Sequence, residues 1–168
     1  MAGKEISGIN EATADLFLGA KYALIRDSAG GRAEAADRRV EEFVALVGKL
    51  GANPLWLDAE THDRAAAIVS HLPQLLAIAL AGVVRDQTDE TGLPITLAGR
   101  GLRDALRLAG SPYSVWRDII LTNSDNLDRA LNLVIQSLEN LRGELRSRAL
   151  EEDFAAAGEL YKILRDLQ

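Results

Sequence analysis

Two histidines, His62 and His71, are the side chains of this sequence that titrate near neutral pH and can carry protons there. His71 stands in Ser70-His71-Leu72-Pro73-Gln74, a polar cluster inside an apolar run. Buried polar groups need partners, and a proline in a helix frees backbone groups that can supply them. The pattern fits either a ligand-binding cluster or a histidine satisfied structurally. His62 stands in Thr61-His62-Asp63, nine residues earlier. Nine residues are about 900° of α-helical rotation, which predicts opposite faces for the two rings and no shared metal site. With no cysteine, disulfides, thiolate metal sites and cysteine nucleophiles are excluded. Two histidines are too few for a conventional three-ligand zinc site unless carboxylates fill in, and no metal is expected.

Arg100, Arg103 and Arg107 form a basic cluster in a chain of net charge −6. Arg103 and Arg107 are spaced i,i+4 and would share a helix face. Arginine suits bidentate recognition of a carboxylate, although Asp104 and nearby acids offer an ordinary surface partner. Trp116 follows closely and reads as core or as pocket wall. Gly99-Arg100-Gly101 begins like a dinucleotide-binding turn, but position 104 is Asp and no strand precedes it. It reads better as a flexible turn and helix start. Gly30-Gly31 lies between a strand and a helix and could face an anion through its amides, yet lacks the full motif.

These residues need elements to position them. Lys21 to Arg26 is short and contains aromatic and β-branched residues, which predicts a strand. From Ala33 to Leu50 the apolar period becomes helical, with Gly51 as a stop. Asn53 to Asp58 predicts a second strand. Strand, helix and strand at this spacing form a βαβ unit with parallel strands. Beyond Asp58 every element predicted is helical. Thr61 to Asp86 is one apolar stretch that Pro73 should kink or break near His71-Leu72. A polar loop follows to Gly92, then helices from Leu102 to Leu108 and from Tyr113 to Leu121. Leu127, Leu131, Val134, Leu138, Leu141 and Leu145 make a heptad seam, with Asn123 or Ser124 as its cap. The seam fits either the inside of a domain or a dimer interface. Phe154, Leu160, Tyr161 and Leu164 mark a last amphipathic helix.

Composition bounds the partners. The chain has 168 residues, 48% of them hydrophobic, enough for a folded core. Its acidity argues against a nucleic-acid groove or an anionic membrane surface. No signal-peptide pattern opens the sequence. The longest apolar run, Leu75 to Val84, is about half of the roughly 20 residues a membrane span needs. A cytoplasmic protein is expected.

Several segments agree in order and spacing with one family. They are Met1 to Gly8, Asp15-Leu16-Phe17-Leu18-Gly19, the two histidine motifs, Gly101 to Ala109, and Trp116-Arg117-Asp118-Ile119. Together they resemble the prephenate/arogenate dehydrogenases of tyrosine biosynthesis, from residue 1 to about residue 145. The resemblance implies a mainly α chain: a remnant βαβ segment of a Rossmann domain (1–58), then an all-helical dimerisation and substrate domain (59–168). It implies NAD(P)-dependent oxidative decarboxylation of prephenate or arogenate, with NAD or NADP carrying the hydride. It implies a homodimer through the helical part.

The resemblance also assigns residues. Arg107 maps onto an arginine that binds a substrate carboxylate. Ser70, His71 and Gln74 map onto the substrate-side motif, and Trp116 onto the pocket wall. Glu5 maps beside the substrate, and Gly3 onto the segment near the cofactor. The family signature there reads His-Pro-(Met/Ile)-Ala-Gly, and this sequence starts at its Met. The catalytic histidine and the glycine-rich first βαβ are not in the sequence, so the chain alone is expected to be inactive, or completed by a separate Rossmann-containing chain. A non-catalytic dimerisation or aromatic-acid-binding module derived from the family is the alternative. At Gln74 some relatives carry a second histidine, so the resemblance implies a different side-chain contact there.

Overall fold

The computed structural model describes residues 8–26 and 38–166. Strand β1 (Lys21–Arg26) pairs in parallel with β2 (Asn53–Asp58), in the register Lys21 to Asn53 through Arg26 to Asp58. Helix α1 (Arg38–Lys49) lies between them in the chain. Parallel neighbours require such a crossover, so the expected βαβ unit is present. Residues 33–37, where the sequence expected the helix to begin, and Gly30-Gly31 lie outside the described residues.

The turn into β2 is held from both sides. Gly19 N–H donates to Gly51 O at 2.8 Å, and Asn53 N–H donates to Ala20 O at 2.7 Å. Asn53 Nδ2 adds a bond to Gly19 O at 3.0 Å. Gly51 ends the α1 connection at φ +81°, a conformation that suits glycine. Phe17, Tyr22 and Phe43 stack edge to face at centroid distances of 6.4 and 6.1 Å, tying α1 to β1.

β2 passes into helix α2 (Ala59–Ala66) without a linker. Asp58 is both the last strand residue and the N-cap, its carboxylate accepting from Thr61 N–H at 2.8 Å. That bond and the Thr61 hydroxyl hold the Asp58 carboxyl below the usual carboxylate range. α2 continues through a π-turn (Ala67–His71) into α3 (Leu72–Asp86). The helix is not broken at Pro73, and the kink or break expected near His71-Leu72 takes the form of this π-turn just before the proline. Pro73 sits in the first turn of α3, and the looser π-turn before it accommodates the missing donor. The result is one helix from Ala59 to Asp86, 28 residues long, which passes for a membrane span by length and composition. The sequence reading, which counted only Leu75 to Val84, missed this.

Four shorter elements follow. They are α4 (Leu93–Thr96), α5 (Arg100–Leu106), a 3₁₀ turn (Arg107–Gly110) and α6 (Tyr113–Thr122). α4 was not expected, and the predicted helix from Leu102 to Leu108 is split at Arg107 into α and 3₁₀ pieces. Then come α7 (Ser124–Glu144) and α8 (Leu150–Asp166). The architecture is mainly helical behind a small parallel sheet.

The heptad seam divides along α7. Leu127 is buried and Ala130 beside it is 1% exposed, but Leu138 is 57% exposed. Leu145 falls just beyond the helix end and is exposed. α8 buries none of its residues against the chain, and Phe154, Leu160, Tyr161 and Ile163 face outward. A folded monomer of this mass exposes about 8,100 Å². This chain exposes 13731 Å².

A Cβ added to Gly51 would lie 2.8 Å from Leu18 Cδ1 and 3.3 Å from Leu18 Cα, on a backbone at positive φ. Gly51→Ala is expected to destabilise the chain by about 1–2 kcal/mol, read as a lower urea midpoint. An unchanged midpoint would show that the turn has another way to relax.

Candidate functional site

The site grows from the π-turn. In an α-helix each N–H reaches four residues back; here Leu72 N–H reaches the Ala67 carbonyl, five back. Each residue of such a turn advances less than 100° about the axis. The phase between His62 and His71 therefore departs from the half-turn expected of a regular helix. His62 acts electrostatically on His71 and helps to lower its pKa.

His71 is half-buried between α3, α6 and α7. Its ring meets Trp116 edge to face at 6.0 Å and 84°. Its Nδ1 lies 3.2 Å from Asn123 Nδ2. Trp116 is itself anchored, its Nε1 donating to Ser111 Oγ at 2.9 Å. Burial pushes the His71 pKa below its ordinary 6.5; His62 adds to this and Asp63 opposes it. The neutral ring is favoured. His62 is bonded separately, Nδ1 to Asp63 Oδ1 at 2.9 Å.

Gln74 lies one helical turn past His71 and shares its face. Its side chain is 1% exposed, and its Nε2 has no hydrogen-bond partner. A buried amide without a partner costs about 1–3 kcal/mol, so the position is either strained or incomplete without a ligand. Ser70 is buried in the preceding turn. Arg107 opens the 3₁₀ turn, which packs against α3. Arg103 lies in α5, where it lines an apolar cleft of about 530 Å³ with Val84, Ile95, Leu102 and Leu106. Arg103 lies within α5 and Arg107 at its C-cap, where the 3₁₀ turn begins. Glu5 and Gly3 lie outside the described residues.

The structure thus gathers Ser70, His71, Gln74 and Trp116, with Arg107 on an element packed against their helix. It adds Asn123, which the sequence reading treated only as a helix cap. Asn123 is 7% exposed, and no side-chain cap bond forms at that helix start. Besides Asn126, its partners lie 52 and 60 residues away, and no local spacing signals those two.

A small parallel α/β layer leading into helices with uncovered apolar faces defines a helical association domain that carries a polar site at its π-turn. Residues 58–165 match the family described as prephenate dehydrogenase, dimerization domain, and the chain belongs to the prephenate dehydrogenase family. It is 30% identical to prephenate dehydrogenase of Lactococcus lactis subsp. cremoris, over 90% of this chain and 37% of that protein. It is 32% identical to cyclohexadienyl dehydrogenase of Zymomonas mobilis, over 88% of this chain and 49% of that protein. Prephenate dehydrogenase from A. aeolicus, crystallised with hydroxyphenyl propionate and NAD+, superposes with a TM-score of 0.79 at 27% identity. That match covers 98% of this chain and 56% of that one. The chain therefore spans about half, or less, of the length of these relatives.

Because the folded His71 pKa lies below the unfolded one, the unfolded chain takes up this proton first as pH falls. The stability at stake is present above about pH 6.5 and is lost as pH falls through the lower folded pKa. The urea midpoint should drop from about pH 7.5 to about pH 5.5, and drop less in His71→Gln. Equal drops in the two proteins would refute the assignment.

Proposed function

We propose that the chain is the substrate-side and dimer-forming part of a prephenate or arogenate dehydrogenase. Residues 59–168 would form that part, and residues 1–58 would belong to the nucleotide-binding layer. The observation that carries the reading is Gln74. A buried amide N–H without a partner, one turn from His71 and its Trp116 wall, is a donor set aside for a bound molecule. The similar A. aeolicus enzyme was crystallised with an aromatic acid, which is a ligand of fitting chemistry.

In this reading Arg107 pairs with a carboxylate of the substrate. Gln74 donates to an oxygen, His71 contributes a neutral ring, and Trp116 packs against the ligand's ring. Ser70 supports this motif and Glu5 contacts the substrate from the N-terminal segment. NAD or NADP would accept the hydride, with Gly3 near it. Among the described residues no strand leads through a glycine-rich turn into a helix. Gly99 only starts α5, at φ −85° after a loop.

A homodimer is proposed from the uncovered seam of α7 and the outward apolar side chains of α8. The long helix from Ala59 to Asp86 would be covered by the same association, in a cytoplasmic protein with neither membrane nor nucleic acid as partner.

Titration calorimetry with 3-(4-hydroxyphenyl)propionate is expected to show binding that weakens about tenfold or more in Arg107→Ala. Equal affinity in the variant would remove Arg107 from the site. Sedimentation equilibrium is expected to give a dimer, and Leu138→Asp to shift it toward monomer. A monomeric parent chain at tens of micromolar, about the usual working range, would reject the association.

A further inference from the structure

Asn123 precedes α7, yet its side chain makes no capping bond to that helix's backbone. Nδ2 donates to the Asp63 carbonyl at 2.8 Å and lies 3.2 Å from His71 Nδ1. Oδ1 accepts from Asn126 Nδ2 at 2.8 Å. These contacts fix the orientation of the amide. A backbone carbonyl only accepts, so the atom facing Asp63 O is the nitrogen, and the oxygen faces the donor of Asn126. The group facing His71 is therefore an N–H, and Nδ1 of the ring must present its lone pair.

We infer that Asn123 is a positioning residue that holds His71 as the Nε2–H tautomer, so that the ring offers a donor to whatever occupies the site. His62 supplies the contrast. Its Nδ1 faces the Asp63 carboxylate, which only accepts, so the neutral His62 ring carries its proton on Nδ1. Asp63 thus serves both rings, with its side chain on His62 and its carbonyl on the amide that orients His71. The two histidines of the chain are held in opposite tautomers.

This bears on the class of ligand. With the proton on Nε2, His71 matches an oxygen acceptor, such as a carboxylate, a carbonyl or the lone pair of a hydroxyl. It meets an ammonium group without an acceptor to offer. The orphan amide of Gln74, one turn away, is a donor as well. Two neutral donors on one helix face select an oxygen-rich acid. That selectivity rests on the reading under Proposed function; the tautomer does not.

The test uses the 15N-labelled 168-residue chain and long-range 1H–15N correlation of the imidazole rings at about pH 7.5, above the ordinary histidine range. His62→Gln assigns the two rings. The expected spectrum has His71 protonated at Nε2 and His62 at Nδ1. In Asn123→Asp the donor facing Nδ1 becomes an acceptor. His71 should then carry a proton on Nδ1, with affinity for 3-(4-hydroxyphenyl)propionate down about tenfold or more and the His62 signals unmoved. A parent chain with His71 protonated at Nδ1 alone overturns the inference, and so does an unchanged Nε2–H ring in folded Asn123→Asp. If that variant fails to fold by far-UV circular dichroism, the parent spectrum decides by itself. The expected tautomers without binding of the acid would leave the role of Asn123 standing and defeat the substrate reading. Binding with the opposite tautomer would do the reverse.

Discussion

Proline in a helix withholds one N–H and crowds the turn before it, and this chain answers Pro73 with a π-turn rather than an end. Most of the structure depends on that answer. α2, the π-turn and α3 touch both strands, α5, the 3₁₀ turn and α7. Had the helix stopped at His71, α2 would still pack on the sheet, but α3 would have no fixed direction. The added residue also sets the phase at which Ser70, His71 and Gln74 leave the axis. A packing solution and a site geometry are the same event here.

The second theme is imbalance between surface and core. Among the described residues the buried apolar side chains are five alanines (Ala52, Ala66, Ala67, Ala77 and Ala130) with Leu24, Val47, Leu72 and Leu127. Other large apolar side chains of α3, α7 and α8 face outward. Alanine on the inner faces lets helices approach closely, while the exposed faces of α3, α7 and α8 carry leucine, isoleucine, phenylalanine and tyrosine. An apolar exterior of this kind is consistent with the family match to a dimerization domain.

What could be read from residues followed locality. Lys21–Arg26 and Asn53–Asp58 show strand composition, and their parallel pairing follows from the helix between them. The heptad spacing placed α7, though it did not say which half of the seam packs internally. The π-turn was missed because proline reports a lost donor and not how the backbone compensates. The 3₁₀ turn at Arg107 was missed because Leu102 to Leu108 keeps a helical apolar period while Gly110 and Pro112 tighten its end. Asn123 was assigned to capping because that is what an asparagine before a helix does locally. Its recruitment by Asp63 and His71 is a tertiary event between residues more than fifty positions apart.

Asp58 closes the last residue pair of the sheet and also caps the long helix. No loop separates the two, so the helix is a lever whose fulcrum is the sheet edge. From Asp58 to His71 the arm is about 20 Å at 1.5 Å per residue. A tilt of about one degree at the sheet moves the ring by about 0.3 Å, close to the tolerance of about 0.5 Å that an aligned site allows.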